Sequence, residues 1–325
     1  MPVRTRPRSL LLGAVVVAAV AIAAVLGLSG RGPSTTARGT PTAPAGGPAG
    51  AASASAPARV ARPPVPHLLR IGRPTTAWQP YVTVGGRPAV WIARRSGVTM
   101  LRFDQHLTEL HLHAGSVYPG GRGWLYGDKI APAEARHLVA AFNGGFKFNV
   151  PGNGFVENGR TGLPLKRGLG SVVTYRNGIT AVGAWGRGLP ARGVPVLSVR
   201  QNLHLLVDRG RLPRQAIICP LHCWGATVGG HVLSARSALG ITSTGELLWA
   251  AGERLTPASL GRALIRASVV SAVQLDINPF AVAGYIYSHR TARPVAAPLV
   301  PGQNGIRGQL RHAYTRDFFT VVARY

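Results

Sequence analysis

From residue 67 onward, apolar and polar positions alternate in short runs that glycine-containing turns interrupt, the period-two pattern of half-buried strands. Ser171–Tyr175 and Ile179–Val182 flank Arg176-Asn177-Gly178, and Asn-Gly supplies the positive φ angles of a tight hairpin. Glu157-Asn158-Gly159-Arg160 reads as a second such turn. Two helices stand against this background. One starts near Pro132 and carries Glu134 through Val139; the other has Thr256 as N-cap, Pro257 in its first turn, and Leu260, Leu264 and Ile265 on one face. Each is expected to feed a strand, Leu138 to Phe142 after the first and Val269 to Ile277 after the second, and both strands end at polar turn-forming residues. The expectation is an α+β fold: a strand-rich mixed sheet core with a few flanking helices, forming a single domain over residues 67–325.

The chain ahead of that domain has a different pattern. Arg4, Arg6 and Arg8 mark residues 1–9 as a basic segment, and the uncharged apolar run Leu10 to Leu28 would cover roughly 28 Å as a helix, enough to span a bilayer. A signal anchor over residues 10–28 with its basic end in the cytoplasm follows, which places the domain outside the cell membrane. Gly27 and Ser29, small residues two apart, leave cleavage and secretion as the alternative. Residues 29–66 are almost wholly Ala, Pro, Gly, Thr and Ser, too poor in apolar side chains to repay ordering, and read as a disordered linker.

Charge adds one question. The formal net charge is +27, from 37 basic residues against ten acids, which suits an anionic neighbour such as lipid, nucleic acid or a phosphate-containing wall glycan. Only Lys129, Lys147 and Lys166 are lysines, so arginine-rich codon usage is a competing origin for the charge. The chain has no helix-turn-helix, zinc-finger or ribonucleoprotein motif, and a membrane anchor would keep the domain away from nucleic acid. Cys219 and Cys223 flank Pro-Leu-His and suit a short disulfide loop in an oxidising compartment; two sulfurs with His222 fall short of a closed zinc shell. His111 and His113, two apart on one strand face with His106 nearby, allow either a metal site or hydrogen-bonded histidines.

Three segments carry candidate chemistry. In Phe142-Asn143-Gly144-Gly145-Phe146-Lys147, adjacent glycines let backbone N–H groups approach a ligand, while Asn143 and Lys147 add a neutral and a cationic donor. Arg236 precedes an apolar strand that would fix its guanidinium as a fork for phosphate. In Gln274-Leu275-Asp276-Ile277-Asn278-Pro279, a scarce carboxylate sits near a strand end, either paired with an arginine or placed for acid, base or nucleophilic work.

Together, in this order, the segments resemble the phosphodiester glycosidase family, whose members show Asn-Gly-Gly-Phe, then an arginine before an apolar-Gly-Ile strand, then Leu-Asp-Gly-Gly-Gly-Ser after a helix. Here these are Asn143–Phe146, Arg236 with Leu239-Gly240-Ile241, and Leu275-Asp276. Trp185-Gly186, Arg200-Gln201-Asn202, Leu205–Asp208 and Arg316-Asp317-Phe318-Phe319 look like a bacterial branch of it, so the resemblance spans roughly residues 100–320. The chain departs from the family at Ile277-Asn278-Pro279-Phe280, where the glycine-rich turn should stand.

The resemblance implies hydrolysis of a glycosidic bond to phosphate in an envelope glycoconjugate, with no cofactor. It assigns Arg236 to the phosphate and makes Asp276 nucleophile, base or electrostatic stabiliser. Asn143, Gly144, Gly145, Lys147, Arg200, Asn202 and Asn278 would bind substrate. Glu157 is a candidate second carboxylate, with a solvated hairpin residue as the other reading. The rival functions are a non-catalytic surface module that binds anionic wall polysaccharide and a structural partner of another envelope protein.

Overall fold

The computed structural model describes residues 64–303 and 312–324. The expected basic segment, membrane span and nearly all of the linker lie outside the described residues. Among those described, no helix is long and apolar enough to cross a membrane.

Five strands open the chain: β1 (His67–Leu68), β2 (Gln79–Val84), β3 (Arg87–Arg95), β4 (Val98–Phe103) and β5 (Thr108–His113). Helix α1 (Pro132–Ala135) leads into β6 (Leu138–Asn143), followed by β7 (Asn153–Glu157), β8 (Arg160–Leu163), β9 (Gly170–Tyr175) and β10 (Thr180–Ala184). Next come β11 (Val196–Asn202), β12 (Leu205–Asp208) and helix α2 (Gln215–Ile218). The chain then forms β13 (Ser234–Thr242), β14 (Leu247–Leu255), helix α3 (Pro257–Arg266) and β15 (Val269–Ile277), and closes with β16 (Gly284–Ser288), β17 (Val295–Pro298) and β18 (Phe318–Ala323).

The strands make three sheets, ordered β1-β2-β3-β4-β14-β13-β15-β12, β10-β9-β11-β7-β8 and β17-β16-β6-β18-β5. The fold is mostly β, and every pairing between these strands is antiparallel, which corrects the expected mixed sheet. Its cause is visible at α3. The helix does connect two strands that run the same way, but β13 lies between β14 and β15 and pairs antiparallel with each.

The expected α3 forms as its sequence dictates. Thr256 Oγ1 accepts the Ser259 N–H at 3.0 Å, Ser259 Oγ accepts the Thr256 N–H at 2.9 Å, and Leu260 and Leu264 are buried. The expected helix from Pro132 through Val139 does not: α1 is one turn without a side-chain cap, and Val139 belongs to β6. All six residues of β6 are buried, so this apolar run gains more between two neighbouring strands than as the end of an uncapped helix. Both expected hairpins are present. Asn158 and Gly159 have φ of 48° and 80°. At the other turn only Gly178 is left-handed; Gly178 N–H closes on Tyr175 O and Asn177 Oδ1 accepts the Ile179 N–H.

The eight-stranded sheet is covered on both faces. One face packs on the other sheets around Phe142, whose ring lies 5.7 Å from both Trp249 and Phe319. Against the other face pack Leu260 and Leu264 of α3, with Leu206, Leu248 and Ala250. Adjacent residues Leu248 and Trp249 thus enter different cores, which explains the unbroken apolar run in β14.

Candidate active site

The ends of three strands from three sheets converge on the loop after β6. Asn143 closes β6 and pairs with Phe318 at the start of β18, which brings Arg316 and Asp317 beside Gly144 and Gly145. Gly144 O accepts the Asp276 N–H at 3.0 Å, tying in the end of β15, while Arg200 and Asn202 arrive from β11.

At this junction Asp276 is 5 % exposed. Its Oδ1 accepts the Ile277 N–H at 2.8 Å and its Oδ2 takes an N–H of Arg316, forming an ion pair. Arg316 also donates to Gly145 O at 3.2 Å; its side chain keeps 18 % exposure, and burial lowers its pKa. A nearly buried carboxylate therefore meets a guanidinium that stays partly exposed. Neither Arg316 nor Asp317 stands out by sequence pattern alone, although the segment Arg316–Phe319 is part of the family resemblance.

The other expected residues build the walls of this place. Arg200 is fully buried and grips Asp317 with two bonds of 2.7 and 3.0 Å, while its remaining N–H groups reach Asn153 Oδ1, Gln201 O and Phe146 O. Asn202 Oδ1 accepts the Phe146 N–H at 3.1 Å and its amide donates to Gln274 O. The glycine N–H groups face Asp317: Gly144 donates to its carbonyl and Gly145 to its Oδ2. A Cβ on Gly144 would sit 2.0 Å from Asp317 Oδ2, and one on Gly145 2.4 Å from Arg200 Cζ, so the pair is glycine because the Arg200–Asp317 bridge occupies that space. Asn143 is buried against Ser237 Oγ and the Ala283 N–H, and Lys147 is exposed.

Arg236 forms no ion pair with Asp276. It is fully buried, donating to Leu255 O at 3.0 Å, Gln274 Oε1 at 3.0 Å, and more weakly to Trp224 O and Val232 O at 3.4 Å. Burial draws its pKa down to about 10. Asn278 adopts φ of 81°, and its side chain bonds Val228 N–H, Ser234 Oγ and Ala226 O, fastening the 226–234 loop to the end of β15. That loop follows the disulfide that joins Cys219 and Cys223.

Glu157 is buried, which excludes a solvated hairpin side chain. Burial raises its pKa, and its oxygens accept the N–H groups of Leu125 at 2.7 Å and Tyr126 at 3.4 Å. It shares no hydrogen-bond partner with Asp276. It belongs instead near a second polar cluster, in which Glu134 Oε1 lies 3.2 Å from His111 Nδ1 and 3.0 Å from His113 Nε2. His111 Nε2 meets Glu109 at 2.8 Å and its ring stacks on Tyr126. Burial opposes the charge on His111, yet its bonds to Glu109 and Glu134 carry its pKa up to about 9. The two histidines are thus hydrogen-bonded to carboxylates, and His106 is exposed.

No family model matches the chain, and no curated protein matches it. Among solved structures, the zebrafish N-acetylglucosamine-1-phosphodiester alpha-N-acetylglucosaminidase catalytic domain, auto-inhibited by its pro-peptide, is similar at 12% identity and a TM-score of 0.42, over 72% of this chain and 78% of that one. A hypothetical protein from Synechocystis is similar at 11% identity and 0.38, over 75% and 65%. A protein from Burkholderia pseudomallei described as exported follows at 12% and 0.29, over 74% and 76%. These are distant structural neighbours.

Proposed function

We propose that the protein hydrolyses a glycosidic bond to phosphate in a glycoconjugate of the cell envelope. What supports this reading is the contact between Asp276 and Arg316, because the reaction needs one group of each kind: a carboxylate beside the anomeric carbon and a cation on the phosphate. The C1–O bond breaks with its electron pair going to the departing phosphate monoester, which needs little protonation. Water supplies hydroxide to C1, and its proton passes to Asp276 and then to solvent. Arg316 takes over the phosphate role that the sequence assigns to Arg236, since Arg236 has spent its donors on protein acceptors. Incoming phosphate competes with Asp276 for the Arg316 fork and frees the carboxylate for the sugar.

The Arg200–Asp317 bridge and Asn202 position the Gly144–Phe146 loop without touching substrate. The disulfide supports a domain outside the cytoplasm. The test is release of free sugar from a panel of sugar-1-phosphodiesters by the full chain in detergent. Release lost in a folded Asp276→Asn variant supports the assignment, and no release from any diester counts against it.

A further inference from the structure

One cavity of about 640 Å³ contains none of Asp276, Arg316, Arg236 or Glu157. It opens between the loop that continues from the active-site glycines, at Pro151 and Gly152, and the disulfide loop at Cys223 and Trp224. Leu169, Ala184, Leu203 and Leu205 give it an apolar floor, and Lys166, Arg187 and His204 stand among its lining as exposed side chains. Adjoining hollows of about 340 and 470 Å³ share Asp208 with it and bring in Arg209 and Arg211.

Two observations bear on what this trough could hold. The cations are unmatched: Lys166, Arg187, Arg209 and Arg211 form no ion pair among the described residues, and Asp208 is the only acid in the three linings. At least one is also held in place. Lys166 projects from a backbone whose N–H and carbonyl are both bonded to the buried Gln201 side chain, at 2.7 and 2.9 Å.

We infer that this trough binds a glycan bearing phosphate groups, the sugar faces lying on the apolar floor and the phosphates on the Lys166 and Arg187 rim. A cavity of this size, within the roughly 300–1,000 Å³ range of ligand sites, holds more than one sugar unit. Cationic donors at the rim suit phosphate, and the apolar side chains of the lining suit the C–H faces of sugars. The inference deepens the proposed function by giving the polymer chain a seat, separate from the bond that is cut.

The test measures binding of the full chain in detergent to phosphorylated dextran, unmodified dextran, polygalacturonate and inorganic polyphosphate. Phosphorylated dextran should bind tightest. Lys166→Glu with Arg187→Glu should raise its Kd about tenfold or more, while the same charge change at exposed Arg290 and Arg293 should change it less than about twofold. Lys166→Gln with Arg187→Gln, the milder pair, should weaken binding about threefold, and a melting curve confirms that each variant is folded. Equal losses from the two glutamate pairs would overturn the site, as would polyphosphate or polygalacturonate binding as tightly as phosphorylated dextran. Asp276→Asn should keep full binding. Binding without any sugar release therefore sinks only the hydrolase reading, and release from small diesters without rim-dependent binding sinks only the trough.

Discussion

Gln274 and Asp276 lie two residues apart on β15, and each holds an arginine, but in opposite surroundings. Arg236 faces Gln274 and three carbonyl oxygens in a fully buried site with no carboxylate. Arg316 faces Asp276 at a partly open junction and spends few of its donors on the protein. A buried cation with its hydrogen bonds satisfied fastens elements together, here β13, β14, β15 and the Trp224 loop. An arginine beside a carboxylate within reach of solvent can exchange its partner for a substrate.

The largest expected effect tests the open site. Asp276→Asn should lower the rate of sugar release by about 10³-fold or more, with melting temperature little changed, as single-turnover assays and thermal unfolding would read. Next comes the sealed arginine. Arg236→Met should cost about 3 kcal/mol of stability by denaturant unfolding, because Gln274 Oε1 and Leu255 O lose their donor, while each folded molecule keeps its activity. Loss of activity without loss of stability there would reverse the comparison.

A comparable effect is expected at the histidine cluster, and it depends on pH. The folded pKa of His111 lies above its ordinary value of 6.5, at about 9, so its stabilising contribution is complete below about 6.5 and fades as pH rises through 9. Hydrogen bonds from His111 lower Glu109, and attraction to His113 helps lower Glu134 despite burial; their contribution is present above about 4.5 and fades as pH falls. Wild type should thus exceed His111→Asn by up to about 3 kcal/mol between these limits and lose the advantage above about pH 10. The smallest effect belongs to Glu157. Because its bonds go to Leu125 and Tyr126, Glu157→Gln should change sugar release less than about threefold; a bell-shaped pH profile that loses one limb in this variant would make it the partner of Asp276.

Much of this geometry was legible in local patterns. The Thr256 cap, both hairpins and the strand carrying Asp276 to a sheet end follow from residue types a few positions apart. What the sequence left hidden is long-range. Whether Arg236 or Arg316 faces Asp276 depends on which strands pair: Arg236 opposes Ile277 across β13 and β15, yet its side chain turns to Gln274. Arg316 reaches Asp276 only because β18 returns beside β6. The double glycine has its neighbours hidden for a related reason. Its signature is close approach of backbone to something, and only the fold shows that Asp317 and Arg200 lie there. The apolar run ending at Phe142 reads as a strand from Leu138, as β6 is, and what stayed hidden is its neighbours, β16 and β18 on either side.

The most direct test of the Asp276–Arg316 site compares Arg316→Gln with wild type in sugar release from a sugar-1-phosphodiester, with melting temperature measured on the same samples. Arg316→Gln should melt close to wild type and lose release by about 10²-fold, mainly through weakened phosphate binding in the transition state. Undiminished release from a folded Arg316→Gln protein would contradict the Asp276–Arg316 site and place the chemistry elsewhere on the molecule.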